Sequence, residues 1–331
     1  MAIDVGRGTK DGEAYELYLK GRYVWNKRTE EGFTQGLDYF RQALRQDPQY
    51  ALAYVGIADC YNLLGVWGAL SPHEAMPKVK EAALKGIALD DSLAEAHASL
   101  AFVHWVYDWD WTAAGAEFER ALELNPEYAT AHDWYAYYLA SRRRFDEAVT
   151  HITRAQEIEP VSLSIGTDVG EIYFWAGRYE RAVEQLKNVL QVEPGFAMAH
   201  NILGLTYLRM GRAAEGVQEL ETAERLASGP RTKSTLGYGY GVSGAQRKAG
   251  RVLDELRTLS ASRYTSAFSR AVAYAGLGRN DEALAQLELA FNERSDTMAI
   301  LSVYPLLDNL RDDPRFRDLV QRVGPISQGR P

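Results

Sequence analysis

Cysteine is nearly missing from this chain: Cys60 stands alone in 331 residues. A lone thiol can form no intramolecular disulfide and no thiolate metal cluster, and it fits a reducing compartment. The cytoplasm is therefore the expected location, with the periplasm also compatible. Basic clusters are missing too. The 37 Lys and Arg are scattered among 45 Asp and Glu, for a formal net charge of −8. Without a positive stripe, neither nucleic acid nor an anionic membrane surface is an expected partner. Runs alternating apolar and polar residues are absent, so no sheet is expected. Low-complexity linkers are absent, so nothing marks a second domain. The segment Met1 to Lys10 carries charge and glycine but no apolar stretch, and does not read as a signal peptide. One run, Ala51 to Leu70, has the length to cross a bilayer. It holds Asp59 near its centre, three glycines and no basic flank, so a buried helix followed by an apolar loop is expected instead.

What is present is a repeat. Ala121 to Pro126, Ala155 to Pro160 and Val189 to Pro194 end alike, and their prolines are 34 residues apart (160 − 126 and 194 − 160). Counting Pro160 and Pro194 as position 32 and continuing one period further, small residues recur at position 8 (Ala136, Gly170, Gly204) and position 20 (Ala148, Ala182, Gly216). Large apolar residues recur at position 24 (Ile152, Leu186, Leu220). Small residues let two helices approach closely, and the large ones fill the space between them. A glycine (Gly177, Gly211, Gly278) ends the first helix of a pair, and the proline ends the second.

This register gives helix pairs at about 13–49, 51–92, 94–127, 129–161, 163–195, 197–229, 230–263 and 264–295. The second pair carries an insertion, Val66 to Pro72, and the third an extra residue in Tyr107 to Trp111. The seventh pair is glycine-rich and is expected to pack loosely. The expected organisation is a tail over 1–12, an array over 13–295, a capping segment over 296–323 and a tail over 324–331. The amphipathic stretch Arg315 to Val323 is expected to cover the last repeat.

Residues 13 to 295 resemble the tetratricopeptide repeat family, whose period is 34 residues. The resemblance implies an all-α, right-handed superhelix of about eight helix-turn-helix repeats with a C-terminal capping helix. Ala14 to Thr29, Leu93 to Leu100, Tyr107 to Trp111 and Asp312 to Phe316 resemble one bacterial subgroup. There the array commonly adjoins a winged-helix, Ser/Thr kinase or cyclase module, and this chain resembles the sensory or scaffold half of such a regulator. No residues of those modules are present, so none of their activities carries over.

In this family the first helix of each pair lines the concave surface and contacts the ligand. The positions that do so fall here on Tyr18, Arg22, Trp25 and Asn26, then on Asp59, Asn62, Phe102 and Trp105. Further along they fall on Asp133, Tyr137, Ser141, Thr167, Glu171, Phe174 and Trp175, and then on Asn201, Leu205, Arg209 and Tyr238. Aromatic area beside amide and carboxylate groups suits an extended peptide. The expected role is a non-catalytic scaffold binding a protein or peptide; the alternative is a homo-oligomerisation module.

Chemistry has little footing elsewhere. His97, His132 and His200 share one repeat position, so repetition explains them, and helices about 10 Å apart are too distant to share a metal ion. Gly239 to Gly244 matches a dinucleotide motif but follows no strand, so no cofactor is expected. Asp90-Asp91 and Asp312-Asp313 lie at helix boundaries, where carboxylates cap. Cys60 reads as a small packed residue.

Overall fold

The computed structural model describes residues 8–27, 29–66 and 68–324. The described chain holds seventeen α-helices and no strand. It divides into two compact units, the first ending at Ala131 and the second beginning at His132.

The first unit contains α1 (Gly12–Trp25), α2 (Glu30–Gln46), α3 (Ala51–Val66), α4 (Pro72–Leu89), α5 (Ala94–Val103) and α6 (Trp111–Leu124). The pairs α1/α2, α3/α4 and α5/α6 form hairpins, with α2 against α3 and α4 against α5. Side-chain oxygens start several of these helices. Asp11 Oδ1 accepts from Ala14 N at 2.8 Å, Thr29 Oγ1 from Gly32 N at 3.0 Å and Asp110 Oδ1 from Ala113 N at 3.0 Å. The apolar run becomes α3, which is buried along nearly its whole length. No helix among the described residues is long and apolar enough to cross a membrane. The extra residue of the third pair is absorbed by a π-helical turn, His104–Asp108, closed by Trp109 with φ 57°.

The second unit takes most of α7 (Ala129–Ser141), followed by α8 (Phe145–Ile158), α9 (Leu163–Trp175), α10 (Tyr179–Val192) and α11 (Ala197–Arg209). Then come α12 (Ala213–Leu226), α13 (Pro230–Val242), α14 (Gln246–Ser260), α15 (Ala267–Gly276), α16 (Asn280–Asn292) and α17 (Pro314–Val323). The small-to-large pairing sets the spacing inside a hairpin. A Cβ at Gly170 would lie 2.6 Å from Leu186 Cγ, and one at Gly204 would lie 2.8 Å from Leu220 Cγ. Ile152, Leu186 and Leu220 are fully buried. Gly177, Gly211 and Gly278 end their helices at φ 71°, 77° and 70°, and Arg143 takes the same left-handed role at φ 62°.

The seventh pair departs from expectation. Its Gly241 marks a close approach to the next hairpin rather than loose packing. A Cβ at Gly241 would meet the backbone of Gly276 at 2.4 Å, and one at Gly276 would meet Tyr238 Cα at 2.5 Å. Glycine is retained there because α13 and α15 approach backbone to backbone.

After α16 the chain runs through two 3₁₀ turns, Asp296–Ile300 and Pro305–Leu310. Met298, Leu301, Leu306, Leu307 and Leu310 are each at most 1% exposed. Helix α17 then packs on α16 through Phe316, Leu319, Val320 and Val323.

Candidate functional site

In the first unit, Arg22 and Asp59 form the polar centre among the candidate residues. Arg22 Nη1 donates to Asp59 Oδ2 at 2.8 Å, and its guanidinium lies 4.3 Å from the Trp25 ring. Ser99 Oγ donates to the other Asp59 oxygen at 3.4 Å. Phe102 and Trp105 meet edge to face at 5.8 Å, both buried. Tyr18 packs on Phe40 and Tyr50, and so belongs to the hairpin core. Asn62 is buried, whereas Asn26 is exposed at the end of α1.

In the second unit the first helices of successive pairs present one connected polar row. Tyr137 from α7 places its hydroxyl 2.8 Å from Asp168 Oδ1 and 2.9 Å from Glu171 Oε2, both on α9. Arg231 from α13 brings one Nη2 to within 3.1 and 3.3 Å of the two Glu171 oxygens. On α11, Asn201 Oδ1 lies 2.5 Å from Thr235 Oγ1, which also lies 3.1 Å from the Arg231 carbonyl, so the two acceptors share one hydroxyl hydrogen. Trp175 packs edge-on against Tyr137 at 5.2 Å.

The electrostatics follow from crowding. A hydroxyl has one hydrogen and can donate to only one carboxylate at a time. The second contact is favourable when that carboxyl holds a proton and donates to the tyrosine oxygen. Asp168 is suited to hold it: burial first, then the Glu171 charge, raise its pKa to about 7, against the Tyr137 hydrogen bond and Arg231. Burial, then Asp168, Glu171 and Glu159, push Asp133 well above the usual carboxylate range. Burial, followed by Asp168, Glu171 and Asp133, raises the Tyr137 phenol.

The remaining candidates of this unit divide by role. Thr167 turns back to the Leu163 carbonyl at 2.8 Å inside its own helix, while Phe174 and Leu205 are each 1% exposed and pack in the core. Ser141, Arg209 and Tyr238 adjoin the non-repeating C-terminal segment. Ser302 Oγ donates to the Ser141 carbonyl at 3.1 Å, and Arg143 Nη2 donates to the Ser302 carbonyl at 3.1 Å. Arg209 pairs with Asp308 at 2.7 Å, and the Asp308 charge also acts on the Tyr238 phenol. Phe268 of α15 meets the Tyr304 ring at 5.5 Å. Residues at the ends of α7 and α11, together with α15, thus reach a single segment, so the face lined by these helices is concave around it. Burying its five apolar residues contributes at most about 10 kcal/mol. Those buried side chains pack the segment against the unit.

Asp168, Arg231, Thr235 and Tyr304 join the site without having been singled out from the sequence. Asp168 precedes Glu171 by three residues, and i,i+3 spacing on a helix places both on one face. That signal was present. The 3₁₀ segment has no helical period to read.

The three repeat-related histidines also acquire a role. His97 Nδ1 lies 2.6 Å from Glu117 and its Nε2 3.0 Å from the Asp91 carbonyl. His200 repeats this with Glu219 at 2.5 Å and the Pro194 carbonyl at 2.9 Å. Each ring pins the loop before its helix to the second helix of the same hairpin. The Glu117 hydrogen bond, against burial, raises the pKa of His97. In the fourth hairpin the glutamate slot holds His151, whose Nδ1 is 2.9 Å from that of His132. Burial, then His132, lowers His151 to about 4. Among the described residues no group of three or more His, Cys, Asp or Glu could hold a metal ion.

Comparison with known proteins agrees with this architecture. Residues 109–162 match the family model described as tetratricopeptide repeat, and residues 170–211 match that described as TPR repeat. Transcriptional regulator HilA of Salmonella typhimurium is 25% identical over 162 residues, which are 49% of this chain and 29% of HilA. Superkiller protein 3 of Schizosaccharomyces pombe is 26% identical over 189 residues, 55% of this chain and 13% of that protein. The chain therefore spans under a third of the length of either relative. The crystal structure of yeast Tom70 superposes with a TM-score of 0.56 at 14% identity, covering 96% of this chain and 69% of that one, a likeness of fold.

Proposed function

Since this chain is a tetratricopeptide repeat protein, we propose that it is a scaffold that binds a protein or peptide along the concave face of its second unit. The observation that carries the reading is the connected row Tyr137, Asp168, Glu171 and Arg231. Three separate helices contribute it. Side chains held by one another in this way are pre-organised, which lowers the ordering cost of binding. The partial likeness to a transcriptional regulator supports a place as the interaction part of a regulatory protein.

Affinity capture from a lysate of the source organism tests the reading. The wild-type chain is compared with a Tyr137→Ala/Trp175→Ala variant and with Glu180→Ala, an exposed position on α10. A protein retained by wild type and by Glu180→Ala, but lost at least tenfold with the groove variant at an unchanged helical signal, is the expected result. Equal retention by all three removes the groove as the binding surface.

A further inference from the structure

We propose that this groove recognises a basic peptide, seating an arginine or lysine side chain between Asp133 and Asp168. The proposal rests on the scaffold reading and adds the chemistry of the guest.

Charge complementarity is the first support. Asp133 lies one turn before Tyr137 on α7, the Tyr137 hydroxyl meets both Asp168 and Glu171, and Arg231 pairs with Glu171. The internal guanidinium shows what the cluster accepts. Its side chain is 54% exposed, so solvent and a guest reach this point of the groove. Asp133 Oδ1 is buried and has no hydrogen-bond donor. Buried carboxylate oxygens almost always find one, and a cationic donor forms the stronger bond.

A second observation concerns donors. Trp175 is 6% exposed and Asn201 1% exposed, yet Trp175 Nε1 and Asn201 Nδ2 are buried without an acceptor. Trp175 follows Glu171 by four residues on the same face of α9, with its ring against Tyr137. Asn201 is tied through Thr235 to the helical turn that carries Arg231. Carboxyls that release their crowding-held proton when a cation arrives, beside N–H groups without an acceptor, match a peptide. A simple amine or a metal ion offers only the charge.

The probes are three fluorescein-labelled pentapeptides, Ser-Arg-Ser-Arg-Ser and its Gln and Glu counterparts. Binding is read by fluorescence anisotropy at 0.15 M salt. The Arg peptide should bind the wild-type chain at least tenfold more tightly than the Gln peptide, and the Glu peptide should not bind. Asp133→Asn/Asp168→Asn should weaken the Arg peptide at least tenfold. Because these changes remove crowded charge, the variant should melt no lower than wild type. Arg231→Gln removes the internal competitor and should tighten the Arg peptide about threefold. Equal binding of Arg and Gln peptides overturns the proposal. So does an unchanged Arg-peptide affinity in the double variant, which would reduce the effect to general attraction by a chain of net charge −8. A captured partner lost with Tyr137→Ala/Trp175→Ala but kept by the double Asn variant leaves the scaffold reading standing and sinks this one.

Discussion

At the scale of single residues, the acidic cluster couples stability to pH with a definite sign. Asp168 has a folded-state pKa of about 7 against a model-compound value of 3.8. The folded chain therefore holds this proton more tightly than the unfolded chain does. The stabilisation is complete below about pH 4 and is lost as pH rises through 7. The groups facing Asp168 are Asp133 and Tyr137 from α7, Glu171 on α9 and Arg231 from α13, and the tyrosine bond and the guanidinium oppose the rise. Asp168→Asn keeps the shape and abolishes the titration. Its melting temperature should exceed that of wild type by at least about 3 °C at pH 8 and converge with it near pH 4. Calorimetric scans at the two pH values read this directly. A variant less stable than wild type at pH 8 shows that the ionised Asp168 is needed by Tyr137 or Arg231, contrary to the account above. His97 carries the same sign in a milder form, since Glu117 raises its pKa and the benefit fades at higher pH.

At the scale of helices, glycine serves two opposite ends in the seventh hairpin. Gly241 lies against the backbone of Gly276, where an added Cβ would come within 2.4 Å of carbonyl carbon and oxygen. Backbone cannot rotate aside as a side chain can, so α13 and α15 must separate. Gly250 in α14 has nothing within 4 Å of its would-be Cβ. Gly241→Ala should therefore destabilise by about 1–3 kcal/mol or more. Gly250→Ala should stabilise by about 0.5–1 kcal/mol, because it removes backbone freedom from a helical position. Urea midpoints of the two variants should move in opposite directions. A shared sign would show that helix propensity, rather than close approach, governs both positions.

At the scale of the molecule, the part legible in the sequence was the part that repeats. Eight helical hairpins, their left-handed glycines and their proline stops follow from a 34-residue period in small, large and breaking residues. Tyr137, Glu171 and Trp175 were candidates through the family resemblance carried along that register, and the structure brings them against one another. Asp296 to Leu310 is legible only as part of a capping segment; its 3₁₀ turns and its place against Ser141 and Arg209, roughly 100 to 160 residues away in the chain, are not. The glycines of α13 misled, because their number is visible in sequence whereas the helix that meets them is not. Repetition also creates a problem that sequence does reveal: a stack of hairpins ends on an apolar face that must be sealed. Helix α17 provides that seal on α16 with Phe316, Leu319, Val320 and Val323. Its ion pairs, Arg315–Asp281 and Arg322–Glu288 at 2.8 Å, are well exposed and contribute little. The two contributions can be separated. Arg322→Ala should change stability by less than about 1 kcal/mol. A chain ending at Arg311 loses the whole apolar seal, so its melting temperature should drop by at least about 5 °C. The bared face of α16 should then drive association that grows with concentration in light scattering. If the shortened chain melts with the full one and keeps its mass, the apolar contact of α17 is not what closes the stack.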